Sequence, residues 1–199
     1  MKPRSSTRLG IVILGPIVAI VFIGGVAFLV RALFGGQETP AEILASSLLT
    51  NPTANTTVSM TVRGPITAKE YHYDLKLEIS ATSRRLVAYK GYNQNEEIGR
   101  LDLDNDDKSF RDLLLALQMA GYTNQIKSSD ERSDGLCATG QIISFGLADG
   151  ETVSSELWTT SCGGSGDFGG NAQAVIDLLM DQIPGSTDVV RQAKTLGRN

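Results

Sequence analysis

The sequence predicts an α+β fold, with an N-terminal transmembrane helix followed by an antiparallel sheet of about six strands that carries two helices on one face. Three observations lead there. An uncharged run of 22 residues lies near the start of the chain, period-two alternation fills its middle, and two later segments repeat apolar residues at helical spacing.

The uncharged run is Leu9 to Val30. As a helix it would measure roughly 33 Å, enough to cross a hydrocarbon core of about 30 Å. Lys2, Arg4 and Arg8 precede it, so the preference of basic residues for the cytoplasmic side puts the N-terminus inside and the remainder outside. A cleaved signal peptide is the competing reading, but its apolar core runs only about 7–15 residues. The expected organisation is a cytoplasmic tail over 1–8, a single-pass membrane anchor over 9–34, a short helix and linker over 35–56, an extracytoplasmic domain over 57–185 and a C-terminal tail over 186–199. Beyond the anchor lie 14 basic and 22 acidic residues, a net charge of −8, which repels nucleic acid and anionic headgroups.

Thr39-Pro40-Ala41-Glu42 has the form of a helix start, with a capping Thr and Pro at the first helical position, and predicts a helix over Pro40 to Leu49. Asn51 to Thr57 reads as a linker containing the sequon Asn55-Thr56-Thr57. Val58, Met60 and Val62 then alternate with polar residues up to Gly64-Pro65. Tyr71, Tyr73, Leu75, Leu77 and Ile79 alternate likewise, and Leu86 to Tyr92 and Glu97 to Leu103 predict two further strands. Ser109 with Asp112 resembles a capping box before Phe110, Leu113, Leu114, Leu117 and Ala120, a helical stripe ending at Gly121. The polar run Thr123 to Asp134 is expected to be a solvated loop.

Asp149-Gly150 predicts a two-residue hairpin turn. That turn sets Cys137 directly opposite Cys162 in a non-hydrogen-bonded pair, with Cα atoms about 4.5 Å apart, close enough for a disulfide. The same register sets Ile143 against Glu156 and Phe145 against Ser154, which is not a clean apolar face, so a bulge or bend at Gly140 or Gly146 is an alternative. After Cys162 the glycines lead to Asn171, a good N-cap, and Ala172, Ile176, Leu179 and Ile183 share a helical face until Pro184-Gly185.

Catalytic readings are weak. A serine hydrolase would need Ser161 or Ser165 beside a histidine; the only histidine is His72, which the alternation places on the solvent-facing side of its strand. No phosphate-loop pattern is present. Asp102, Asp104 and Asp106 have the odd spacing of a calcium loop, but Asp107 and Leu113 stand where glycine and glutamate are needed. One histidine and two cysteines are too few for a histidine–cysteine metal site. No catalytic residue, metal or cofactor is expected. Trp158, the only tryptophan, is expected in the core; the alternative is that it lines a binding surface with Tyr89, Tyr92 and Phe168.

The stretches VRGPI (Val62 to Ile66), YKGY (Tyr89 to Tyr92), CATG (Cys137 to Gly140), LWTTSC (Leu157 to Cys162), GGN (Gly169 to Asn171) and QIP (Gln182 to Pro184) together resemble uncharacterised, signal-anchored envelope proteins of small-genome candidate-phylum bacteria of the Saccharibacteria type. The resemblance covers the anchor and nearly the whole of the remaining chain. It implies a bacterial envelope location and a shared pair of cysteines, and no activity. The expected function is a non-catalytic binding or envelope-interaction module, contacting the membrane through 9–34 and an unknown envelope or surface protein. The alternatives are a carrier of an apolar ligand, held between sheet and helices near Phe110, Leu114 and Phe145, and an envelope hydrolase using His72.

Overall fold

The structure, a computed structural model, describes residues 40–128 and 135–196, which fall within one compact unit. The expected anchor at 9–34 and the capping Thr39 lie outside the described residues. Among the described residues no helix is long and apolar enough to cross a membrane.

The elements run α1 (Pro40–Thr50), β1 (Thr56–Arg63), β2 (Tyr73–Ser80), β3 (Ser83–Lys90), β4 (Glu96–Asp104), α2 (Asp107–Met119), β5 (Ile142–Asp149), β6 (Thr152–Thr160), α3 (Ala172–Asp181) and α4 (Ser186–Leu196). The six strands form one open antiparallel sheet in the order β4-β3-β2-β1-β5-β6. Consecutive hairpins build β1 to β4. The chain then crosses back through α2, so that β5 docks on the free edge of β1.

Alternation decides which face is covered, because side chains opposite one another in an antiparallel pair share a face. Val58, Met60 and Val62 of β1 lie opposite Ile79, Leu77 and Leu75 of β2 and opposite Leu147, Phe145 and Ile143 of β5. All nine are buried. The same core takes in Ala45, Leu48 and Leu49 of α1, Phe110, Leu113, Leu114 and Leu117 of α2, Val175 and Leu179 of α3, and Val189 and Ala193 of α4. Every helix therefore covers one side of the sheet. The four buried residues of α2 alone contribute roughly 6–12 kcal/mol of transfer free energy before entropy is charged against it.

The covering layer has four helices where the sequence predicts two. α1 belongs to the domain rather than to a linker, and α4 forms within the segment expected to be a tail. Val189 and Ala193, one turn apart, give α4 a narrow buried stripe, which the Pro184-Gly185 stop before it masks in the sequence. α2 is capped by Asp106, whose carboxylate accepts from the Ser109 amide at 2.9 Å and from its hydroxyl at 2.7 Å, so the predicted Ser109 cap sits inside the helix. These bonds hold the Asp106 carboxyl below its ordinary value, the backbone bond from Ser109 foremost. Asn171 caps α3 as predicted, accepting from the Ala174 amide at 3.1 Å, although Val175 rather than Ile176 is the buried residue of the first turn.

Cys137 and Cys162 are bridged, with Cα atoms 5.6 Å apart. The geometry differs from the predicted cross-strand pair. Asp149 pairs with Thr152, so Gly150 and Glu151 make the turn, and a bulge between Leu147 and Ala148 shifts the ladder further. Phe145 then faces Leu157 and both are buried, which removes the mismatch of the expected register. The cysteines lie beyond the strand ends, one in the turn before β5 and one in the turn after β6. The bridge ties these two turns where the Ser161 amide already donates to the Gln141 carbonyl at 2.9 Å.

Candidate functional site

The uncovered face of the sheet carries the polar half of each alternation. Across the strands from β4 to β6, one row reads Asp102, Arg85, Glu78, Ser59, Gly146, Glu156, and the next reads Arg100, Val87, Lys76, Thr61, Ser144, Trp158. On β3 and β4 this face is an ion-pair network. Arg85 donates to Asp102 at 2.7 Å, and Arg100 bonds both Asp102 and Glu97. The Asp102 carboxyl is held below its ordinary value by side-chain bonds from Arg100 and then Arg85. Lys76 and Glu78 on β2 pair at 2.9 Å.

Between these charges and β6 the side chains become small. Ser59 and Thr61 of β1 with Ser144, Gly146 and Ala148 of β5 floor a trough of about 220 Å³, walled by Lys76 and Glu78 on one side and Val153 and Glu156 on the other. The walls stand three strand spacings apart, roughly 14 Å. Trp158, half-buried, closes the Thr61–Ser144 row. The Thr61 and Ser144 hydroxyls have no hydrogen-bond partner among the described residues, nor does the Glu156 carboxylate have an ion pair there. These groups are open to a ligand.

The low floor has a structural cause on the other side of the sheet. Tyr122, buried in the core, puts its hydroxyl between β1 and β5, donating to the carbonyls of Gly146 at 2.7 Å and Ser59 at 2.8 Å and accepting from the Ser59 amide at 3.2 Å. The ladder is bridged by this hydroxyl at the Ser59–Gly146 pair. A Cβ at position 146 would come within 2.5 Å of the Ser59 Oγ, the rotatable end of that side chain, so glycine leaves the space this hydroxyl occupies.

The four aromatic residues named from the sequence do not form one surface. Trp158 and Tyr89 share the open face, but on β6 and β3 with three strands between them. Phe168 is buried, its ring 4.6 Å from that of Phe145. Tyr92 lies past the end of β3, stacked on His72 at 3.8 Å. Trp158 is thus a surface residue of the sheet instead of the core residue expected. Of the run 123–134, residues 129–134 lie outside the described residues, and 124–127 are exposed as expected, tied down where Gln125 bridges to Phe168 and the Ile126 amide donates to the Asp167 carbonyl at 2.8 Å.

His72 is not solvent-facing. β2 begins at Tyr73, and the preceding residues turn, with the His72 amide donating to the Ala68 carbonyl, so the strand's alternation does not extend to position 72. The imidazole is 1 % exposed. Nδ1 lies 2.9 Å from the Pro65 carbonyl and Nε2 3.0 Å from Asp74 Oδ1. A carbonyl only accepts, so Nδ1 is the donor in the bond to Pro65, and Nε2 is engaged by the Asp74 carboxyl group. The second Asp74 oxygen accepts from Gln94 at 2.9 Å. With both nitrogens engaged by protein groups and the ring buried, neither nitrogen is presented to a substrate. Phe110, Leu114 and Phe145 are each at most 1 % exposed and pack in the core.

A second cleft, of about 370 Å³, lies between α3 and α4 beside Met180, Val190, Arg191 and Lys194. Its polar side chains, Thr187, Arg191, Lys194 and Thr195, are all exposed; Arg191 pairs with Asp188, and the Thr195 hydroxyl donates to the Arg191 carbonyl at 2.8 Å. Compared with known protein families, curated proteins and solved structures, the chain has no match.

Proposed function

We propose that this protein is a non-catalytic binding module of a bacterial cell envelope, held by the 9–34 segment as a single-pass anchor with its N-terminus in the cytoplasm, and that it engages its partner with the open face of the sheet. The observation that carries the reading is the one-sided architecture. Four helices cover one face, while the other presents a trough whose Thr61 and Ser144 hydroxyls and Glu156 carboxylate have no partner among the described residues, with Trp158 opposite Ser144 on β6. On β3 and β4 the open face is occupied by mutually paired charges. Polar groups left without protein partners around a concave floor are the expected makings of a binding site. The hydrolase alternative loses support from the occupied His72 ring, and the carrier alternative from the closed packing around Phe110, Leu114 and Phe145.

The test is crosslinking of the full-length protein in its native membrane, followed by purification. A recurrent envelope component should accompany the wild type and the helix-side variant Asp177→Arg, and should be lost from Thr61→Arg/Ser144→Arg. Equal recovery with both variants would move the binding surface off the open face.

A further inference from the structure

We infer that the trough accepts an uncharged, extended, polyhydroxylated chain, namely an oligosaccharide; this rests on the open face being the binding face. Geometry favours such a ligand over a peptide. On the face of a sheet the backbone groups are committed to the ladder, so a ligand lying there is read by side chains alone. Extended peptides gain their affinity from main-chain bonds to a sheet edge. Here the corresponding edge is partly taken, because Trp158 O accepts from the amides of Asp167 and Phe168, at 3.0 Å each, and its amide donates to Asp167 Oδ1 at 2.7 Å.

Charge complementarity agrees. Lys76 is neutralised by Glu78 at 2.9 Å, which leaves Glu156 as the one uncompensated charge lining the trough among the described residues. A polyanion finds no cationic track here, and a polycation finds a single carboxylate. An uncharged polar chain matches a trough whose charges are already paired.

The free groups have the matching chemistry. The Thr61 and Ser144 hydroxyls each donate and accept, as sugar hydroxyls do, and sit next to one another across the β1–β5 seam. Trp158, half-buried on β6, lies opposite Ser144 at the end of their row, and an indole pairs a flat apolar body with an N–H donor, chemistry suited to the C–H face of a pyranose extending along that row. From the Thr61–Ser144 pair to the Thr57–Ala148 pair the floor extends about 13 Å along the strands, room for a short run of sugar rings. Gly146 in its middle adds no side chain to obstruct them.

Trp158 makes the test direct, since all tryptophan emission comes from this one residue, the cross-strand neighbour of Ser144. Full-length protein in detergent is titrated with cellohexaose, chitohexaose and, separately, deca-lysine. A saturable blue shift with protection from iodide quenching is expected for at least one of the hexasaccharides. The near-isosteric Thr61→Val/Ser144→Ala variant, with unchanged circular dichroism and melting temperature, should bind it at least tenfold more weakly. A sugar response unchanged in that variant, or no response to either sugar, overturns the inference. A response to deca-lysine alone overturns it while leaving the open face as the binding face. If the sugars are silent and the crosslinked partner still depends on Thr61 and Ser144, the ligand class is wrong and the binding face stands; if that dependence is missing too, both fall.

Discussion

Replacing Tyr122 by phenylalanine tests how the centre of the sheet is held. The substitution keeps the ring, which packs against Phe145 with centroids 5.9 Å apart, and deletes only the hydroxyl. The Ser59 amide and carbonyl then lose their bonds to the hydroxyl, and the Gly146 carbonyl keeps only the Ser59 hydroxyl at 3.4 Å. The single phenolic hydrogen serves one carbonyl at a time, so two hydrogen bonds are lost in effect. Each buried group left without a partner costs about 1–3 kcal/mol, and closure of the seam so that the strands bond directly recovers part of this. The expected loss is about 2–3 kcal/mol, or roughly 4–12 °C in melting temperature for a domain of this size.

Burial also raises the Tyr122 phenol above its ordinary value. Linkage sets the sign of the effect. Above pH about 10 the unfolded chain ionises this phenol while the folded chain does not. The stabilisation is therefore complete below pH 10 and is lost as pH rises towards the folded value. Tyr73 is raised by burial too, so wild type and variant should both weaken above pH 10, with the wild type losing stability more steeply. Urea titrations at pH 7, 9 and 10.5 measure both effects. A loss below about 0.5 kcal/mol at pH 7 with identical pH slopes would refute the bridging role of the hydroxyl.

Two more predictions concern the ends of the sheet. Reducing the Cys137–Cys162 bridge, whose cysteines are 25 residues apart, should lower stability by about 3 kcal/mol on the chain-entropy model; calorimetry with and without reductant measures it, and an unchanged melting temperature would show that the bridge constrains nothing. His72→Ala leaves the buried Asp74 carboxylate and the Pro65 carbonyl facing a cavity, so a loss of about 3 kcal/mol is expected in urea denaturation, and a neutral result would mean the pair is not buried in solution.

The fold was readable where the local pattern is undisturbed. In β2 the alternation of Leu75, Leu77 and Ile79 with Lys76 and Glu78 marks both faces correctly. It failed at His72 because a turn delays the start of the strand to Tyr73. It failed in the β5–β6 hairpin because Gly150-Glu151 makes the turn and a bulge lies beside it; the mismatched faces of the predicted register signalled such a shift without locating it. Gly146 stood out as a glycine inside a strand, and the atom a Cβ there would meet, the Ser59 Oγ, belongs to the neighbouring strand β1. The trough was the least readable feature. Its floor joins Ser59 and Thr61 to Ser144 and Gly146 through the β1–β5 pairing, a contact across more than 80 residues that no local periodicity reports.

The open face should be the surface used in the native membrane. A photo-crosslinking amino acid placed singly at Thr61, Ser144 and Glu156 on the open face, and at Leu115, Asp177 and Arg191 on the helical side, tests that directly in the full-length chain. Adducts to one recurrent component from the first three positions, with none from the other three, are the predicted result. Adducts confined to the helical side would contradict it.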